Sequence, residues 1–170
     1  KRGNEQLLAF IKEKHAGESG IVYTSSRAKA ETICAFLAAE GINCLCYHAG
    51  LSREQRELSQ TRFLHEKDAV IVATIAFGMG IDKADVRFVA HTSLPKSIEN
   101  YVQEIGRAGR DGQKAEAWLC FSGGDAFFQK KRIAESDAED WYKNISEVKQ
   151  DVMQGYAEST ECRRNLLLAY

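Results

Sequence analysis

The chain has 170 residues, a formal net charge of -1 and a 44% share of hydrophobic residues. That is enough apolar material for one ordinary core with a small appendage, and with no overall basic excess any nucleic-acid contact must come from local patches. No apolar run approaches the roughly 20 residues of a membrane span, so no membrane partner is expected, and five cysteines with no C-x-x-C among them read as reduced thiols of a cytosolic protein.

In chain order, Asn4 can cap a helix in which Leu7, Leu8 and Ile11 share a face and which ends near Lys14. Gly20 to Thr24 is a short, β-rich run with the pattern of a buried strand. Ser25-Ser26-Arg27 leads into a helix with Ala30, Ile33, Cys34 and Leu37 on one stripe, stopped by Gly41. Asn43 to Tyr47 is the next strand, where Cys44 and Cys46 are better explained by packing than by metal. Ser52 with Gln55 forms a capping-box signature for a helix running to His65. Strands follow at Ala69–Ala73 and Val86–His91, separated by a glycine-broken loop from Thr74 to Asp82. Pro95 and Ser97 open another helix, and Ala115 to Phe121 is the last strand.

Strands alternating with helices at these spacings predict an α/β fold: a parallel sheet sandwiched by helices with right-handed crossovers. Ligands of such sheets gather at the carboxyl ends of the strands. The segments around Ser25–Arg27, His48–Gly50, Thr74–Asp82 and His91–Ser97 all follow strands. Ser26 and Arg27 precede a helix start and suit an anionic oxygen, although plain N-capping explains Ser26 as well. His48 can donate to a phosphate or serve as a satisfied structural residue. Thr74 with Gly78 and Gly80 lets a backbone come near a ligand, and Asp82 is an acceptor suited to a sugar hydroxyl.

The stretch Tyr101-Val-Gln-Glu-Ile-Gly-Arg-Ala-Gly-Arg-Asp-Gly112 carries the sharpest signal. On a helix, Ile98, Tyr101, Val102, Ile105 and Ala108 would form an apolar stripe, and Gln103, Arg107 and Arg110 a polar one. Two guanidiniums beside a glutamine, with glycines between, make a fork for phosphate or carboxylate. Each arginine taken singly is equally well explained as a cation in a helix's last turn. Capping, however, needs neither Gln103 nor both glycines.

Together, Ala73-Thr-Ile-Ala-Phe-Gly-Met-Gly-Ile-Asp-Lys-Ala-Asp-Val-Arg87 and the Tyr101–Gly112 string resemble motifs V and VI of the RecQ family of ATP-dependent DNA helicases. Tyr23-Thr-Ser-Ser-Arg27 resembles motif IV, and Tyr47-His-Ala-Gly-Leu51 the motif beside it. The resemblance runs from Gly20 to Phe121 and resumes near Cys162. It implies the second RecA-like domain of a superfamily 2 motor, over residues 1–122, followed at 123–170 by a helical extension that starts a zinc-binding subdomain. It implies that Arg110 is the arginine finger, that Arg107 assists it, and that Gln103 couples the site to its surroundings. Gly80, Asp82, Arg107 and Arg110 would then meet the nucleotide, with Asp82 at a position where RecQ proteins often carry Asn. Ser26, Arg27, His48 and Thr74 would touch the DNA backbone. The implied cofactors are ATP with Mg²⁺, held mainly by a first RecA-like domain, and Zn²⁺ in a longer protein.

No G-x-x-x-x-G-K-[ST] and no D-E-x-H box occur, so the chain is expected to be a piece of a longer enzyme and not to hydrolyse ATP by itself. Ser136 with Glu139 is a second capping box, before Trp141, Ile145, Val148, Val152 and Tyr156 at helical spacing. Cys162 reads from the residues as a free thiol, since one thiolate cannot hold a tetrahedral zinc. By the resemblance it is the orphaned first zinc ligand. The implied partners are single-stranded or branched DNA and a first motor domain, in the bacterial cytoplasm or a eukaryotic nucleus, with 3′-to-5′ translocation in repair and recombination. Two other classes stay open: an RNA helicase of another superfamily 2 family, and a binding module that kept the fold without the motor.

Overall fold

The computed structural model describes residues 2–74, 77 and 82–170. Helix α1 (Arg2–Lys14) is followed by β1 (Gly20–Tyr23), α2 (Arg27–Ala39), β2 (Cys44–Tyr47), α3 (Arg53–His65) and β3 (Val70–Ala73). Then come β4 (Phe88–His91), α4 (Ile98–Ile105), β5 (Glu116–Leu119), α5 (Gly123–Ala134), α6 (Asp140–Glu158) and α7 (Arg163–Ala169). The strands form one sheet in the order β2-β3-β1-β4-β5. Every pairing is parallel, with Gly20 opposite both Val70 and Phe88. This is the helix-covered parallel sheet expected from the alternation of elements.

Strand side chains alternate between faces, so each strand feeds two cores. On one face Val22, Val70, Val72, Phe88 and Ala90 pack against Leu7 and Ile11 of α1 and Ile33 and Leu37 of α2. On the other, Ile21, Tyr23, Ile71, Ala73 and Val89 pack with Phe63 of α3 and with Phe77. Burial of both faces is why the central strands read as unbroken apolar runs. Gly20 is needed by the first core, because a Cβ there would lie 2.0 Å from the Phe88 ring.

Several boundaries differ from the sequence reading. Helix α1 already runs from Arg2, so Asn4 lies in its first turn and is not its cap; the buried stripe of Leu7 and Ile11 holds it instead. Strand β4 starts at Phe88, two residues later than expected, because the Val86 carbonyl accepts from Gly109 N (2.9 Å) and the Arg87 amide donates to Ser19 O (2.8 Å). The Ser52–Gln55 box forms as read, with both reciprocal bonds. The Ser136–Glu139 box does not: Ser136 Oγ donates back to Ile133 O at 2.7 Å, and Glu139 caps α6 without a side-chain bond.

Helix α6 is also rotated from the expected face. It buries Gln150, Met153 and Tyr156 against Leu94, Ile98 and Tyr101, whereas Trp141, Ile145, Val148 and Val152 are exposed. Its docking is fixed by packing near its C-terminal half and by Lys149 Nζ–Glu99 Oε1 at 2.9 Å. Helix α5, capped by Ser122, is tied to the sheet domain through Lys29–Asp125 (2.7 Å) and through Gln129 Nε2, which donates to Leu94 O (2.9 Å).

Candidate functional site

The carboxyl ends of the strands open onto a groove of about 880 Å³ between the sheet and helices α5 and α6. Ser26, Arg27 and Thr74 line it, together with Thr24, Ser93, Lys96 and Arg132. Thr24 Oγ1, Ser93 Oγ, Gln129 Oε1 and Gln150 Nε2 are buried along this lining with no hydrogen-bond partner among the described residues. Buried polar atoms without partners are costly, and they persist where something else satisfies them. Ser26 is the N-cap of α2, its Oγ accepting from Lys29 N at 3.2 Å. The Thr74 amide is held by Tyr47 O (3.3 Å), and its carbonyl accepts from Phe77 N (3.0 Å).

His48 is placed differently from Ser26 and Arg27. It is 2% exposed, its Nε2 lies 3.0 Å from Glu31 Oε1, and its Nδ1 accepts from Gly50 N at 3.2 Å. Both ring nitrogens thus have partners within the chain, and His48 is not among the residues that line the groove.

The arginine string is split by the fold. Helix α4 ends at Ile105 with Gly106 as its C-cap, so Arg107 and Arg110 sit in the following turn and not on the helix. Gly109, with a φ of 67°, bars a helical path from α4 through to Arg110. Its amide bonds Val86 O, and a Cβ there would lie 2.9 Å from Gln113 O. Of the apolar stripe, Ile98 and Tyr101 are buried but Val102 is exposed, and Glu104 takes a buried position in its place.

This turn is also displaced from the strand ends that carry the groove. Gly109 N and Asp111 N bond the carbonyls of Val86 and Ala84, which precede β4. Helix α4 leaves the groove at Ser97 and spans about 12 Å at 1.5 Å per residue before delivering the arginines toward the opposite end. Arg87 fastens the turn: it donates to Lys114 O (3.0 Å), and its Nη2 lies 2.6 Å from Asp111 Oδ2. That pairing holds the Asp111 carboxyl below its ordinary range.

Arg110 Nη1 donates to Asp82 Oδ1 at 2.8 Å, on an open surface where the arginine side chain is 39% exposed and the aspartate 83%. Arg107 is half-buried beside the Tyr23 hydroxyl. Burial pushes the Tyr23 phenol well above its ordinary value, although the Arg107 charge works against this. Gln103 is exposed on α4. Gly78 and Gly80 lie outside the described residues.

Cys162 caps the short helix α7, exposed, its thiol drawn below the ordinary value by the amides of Asn165 and Arg164. Among the described residues no group of three or more His, Cys, Asp or Glu side chains could hold a metal ion, so the residues at Cys162 do not fit a zinc centre by themselves. Cys34, Cys44 and Cys46 pack on the first core, and mutual hydrogen bonding pushes the Cys34 thiol up to about 12.

Residues 3–112 match the family described as the helicase conserved C-terminal domain. The chain belongs to that family. Within it the sequence is of the RecQ type. It is 46% identical over 98% of its length to the ATP-dependent DNA helicase RecQ of Pasteurella multocida, of which it covers 26%. It is 43% identical over its whole length to the RecQ-like DNA helicase BLM of Xenopus laevis, of which it covers 13%. The chain thus spans about a quarter or less of these relatives. In structure it resembles domain 2 of the DEAD-box helicase Mss116p bound to an RNA duplex, with a TM-score of 0.64 at 17% identity, covering 97% of this chain and 73% of that one. At that identity the likeness concerns the RecA-like fold alone.

Two residues that sequence reading passed over stand between the groove and the arginines: His91, at the end of β4, and Glu104, near the end of α4. Helical spacing carries part of the signal, since Glu104 lies three residues after Tyr101, at the edge of the apolar stripe. A histidine closing an apolar strand carries another part.

Proposed function

We propose that this RecQ-type domain is the second motor domain of an ATP-dependent DNA helicase, with residues 1–122 as the motor fold and 123–170 as a helical extension toward a zinc-binding subdomain. The observation that carries this reading is the Arg110–Asp82 contact, a guanidinium on an open surface held by an exposed carboxylate at 2.8 Å, its Nε donating to Gly106 O at 3.4 Å. An exposed pair of this kind is worth only about 0–1 kcal/mol. A triphosphate delivered by a neighbouring domain can therefore take the guanidinium from Asp82 at little cost. Arg110 then acts as the arginine finger on the γ-phosphate, Arg107 assists, and Gln103 couples the site to the adjoining domain. Gly80 and Asp82 border the nucleotide. Mg²⁺ accompanies ATP, and no ligand set for it is assigned to this chain.

Ser26, Arg27 and Thr74 form part of a track for the backbone of single-stranded DNA along the groove, reading phosphates and not bases. Translocation runs 3′ to 5′, in repair and recombination. The RNA-helicase reading has only fold-level support, from a structure 17% identical.

The test joins this chain to a nucleotide-holding RecA-like domain, the assembled motor, and measures ATP turnover with single-stranded DNA and with RNA. DNA-stimulated turnover is expected, with Arg110→Ala lowering it about 10³-fold or more while nucleotide still binds. The 170-residue chain by itself should turn over none. Turnover that ignores DNA, or that survives Arg110→Ala, sinks the reading.

A further inference from the structure

Beyond these assignments, and resting on the reading of the groove as a DNA track, we infer that the buried His91–Glu104 pair is a positioning relay. It transmits occupation of the groove to Arg107. The ring of His91 faces Glu104 through Nε2 and Oε2 at 2.7 Å, with side chains 2% and 9% exposed. It stacks on Tyr23 with ring centroids 5.3 Å apart, and the Tyr101 ring meets it tilted at 58°, 5.2 Å away. Its remaining nitrogen, Nδ1, is buried with no hydrogen-bond partner among the described residues. Both His91 and Glu104 line the groove.

From this pair two short routes lead to the arginine turn. The Glu104 backbone carbonyl accepts from Arg107 N at 3.3 Å, so the end of α4 is bonded directly to the turn that carries the arginine. Tyr23, stacked on His91, reaches the Arg107 guanidinium and donates through Oη to Phe77 O at 3.1 Å, touching the loop that leads to Asp82. Packing by itself does not call for such a pair, because an apolar pair of similar volume is commonly as stable as a buried ionic or polar one. A ligand in the groove that bonds Nδ1 or shifts the ring must move Glu104 and Tyr23, and both bear on Arg107.

The experiment is a titration of the isotopically labelled 170-residue chain with oligothymidylate of about ten nucleotides, within the usual single-strand site sizes. Amide signals of Thr24, Ser26 and Ser93 report the groove, and the Nε–Hε signal of Arg107 reports the turn. In the unaltered chain both sets should shift with one midpoint. At saturating oligonucleotide, His91→Phe keeps the stacking but loses the bond to Glu104, and should cut the Arg107 shift at least threefold. His91→Gln, which keeps a donor, should retain more than half of it. His91→Phe combined with Glu104→Leu removes the stranded carboxylate and so protects the fold, yet should leave the Arg107 shift lost. An Arg107 signal that stays still in the unaltered chain while the groove fills, or that moves fully in the double variant, overturns the relay but not the DNA track. If no groove signal moves, the DNA track fails and the relay falls with it.

Discussion

Asp82 and Arg110, 28 residues apart in sequence, meet at 2.8 Å on the open surface of the domain. The carboxylate both parks the guanidinium and repels an approaching phosphate. In the assembled motor, Asp82→Ala should therefore lower the KM for ATP about three- to tenfold with kcat changed less than twofold, since ground-state competition is what it removes. Steady-state kinetics decide this. A KM that rises would make Asp82 a nucleotide ligand and not a competitor.

Gly109 and Gly112 both have positive φ, 67° and 78°, but only Gly109 has a neighbour where a Cβ would go. Gly112→Ala should cost about 1 kcal/mol, from the backbone alone. Gly109→Ala adds a clash with Gln113 O and should cost about 2–3 kcal/mol. Thermal unfolding of the two variants gives the order. Equal losses would mean that the turn relaxes freely around residue 109.

His48 and Ser26 separate bracing from binding. His48→Ala should destabilise the chain by about 2 kcal/mol, roughly 4–8 °C in Tm, by emptying the place of a ring that is 2% exposed. Ser26→Ala should cost about 1 kcal/mol as a lost N-cap and also weaken binding of single-stranded DNA a few-fold. Calorimetry with fluorescence anisotropy would check both. A binding defect larger for His48→Ala than for Ser26→Ala, measured where both are folded, would return His48 to the DNA contacts.

The Arg87 guanidinium first, and the Gln113 amide next, hold the Asp111 carboxyl below its ordinary value of 3.8. A depressed carboxylate lends stability that is complete above its unfolded pKa and fades as pH falls through the lower folded value. Asp111→Asn should therefore lower Tm at pH 7 and flatten the decline of Tm between about pH 5 and pH 2. Parallel Tm–pH curves for the two proteins would show that the pair contributes nothing.

The apolar and turn patterns alone determined the order of the elements from α1 to β5 and the parallel sheet, but not helix α5; strand burial on both faces leaves unbroken runs such as Val70–Ala73 that need no tertiary information to recognise. Local chemistry likewise announced the Ser52–Gln55 cap, since its bonds close within four residues. The grouping of Gln103, Arg107 and Arg110 was visible as composition, but not its placement. The left-handed Gly109 broke the helix, and the Val86 and Ala84 carbonyls drew the turn away from the strand ends. The Asp82–Arg110 contact, the internal use of His48, the rotation of α6 and the His91–Glu104 pair all join segments distant in sequence. Such contacts depend on how helices settle on the sheet, a matter of packing and burial that periodicity along one chain does not encode.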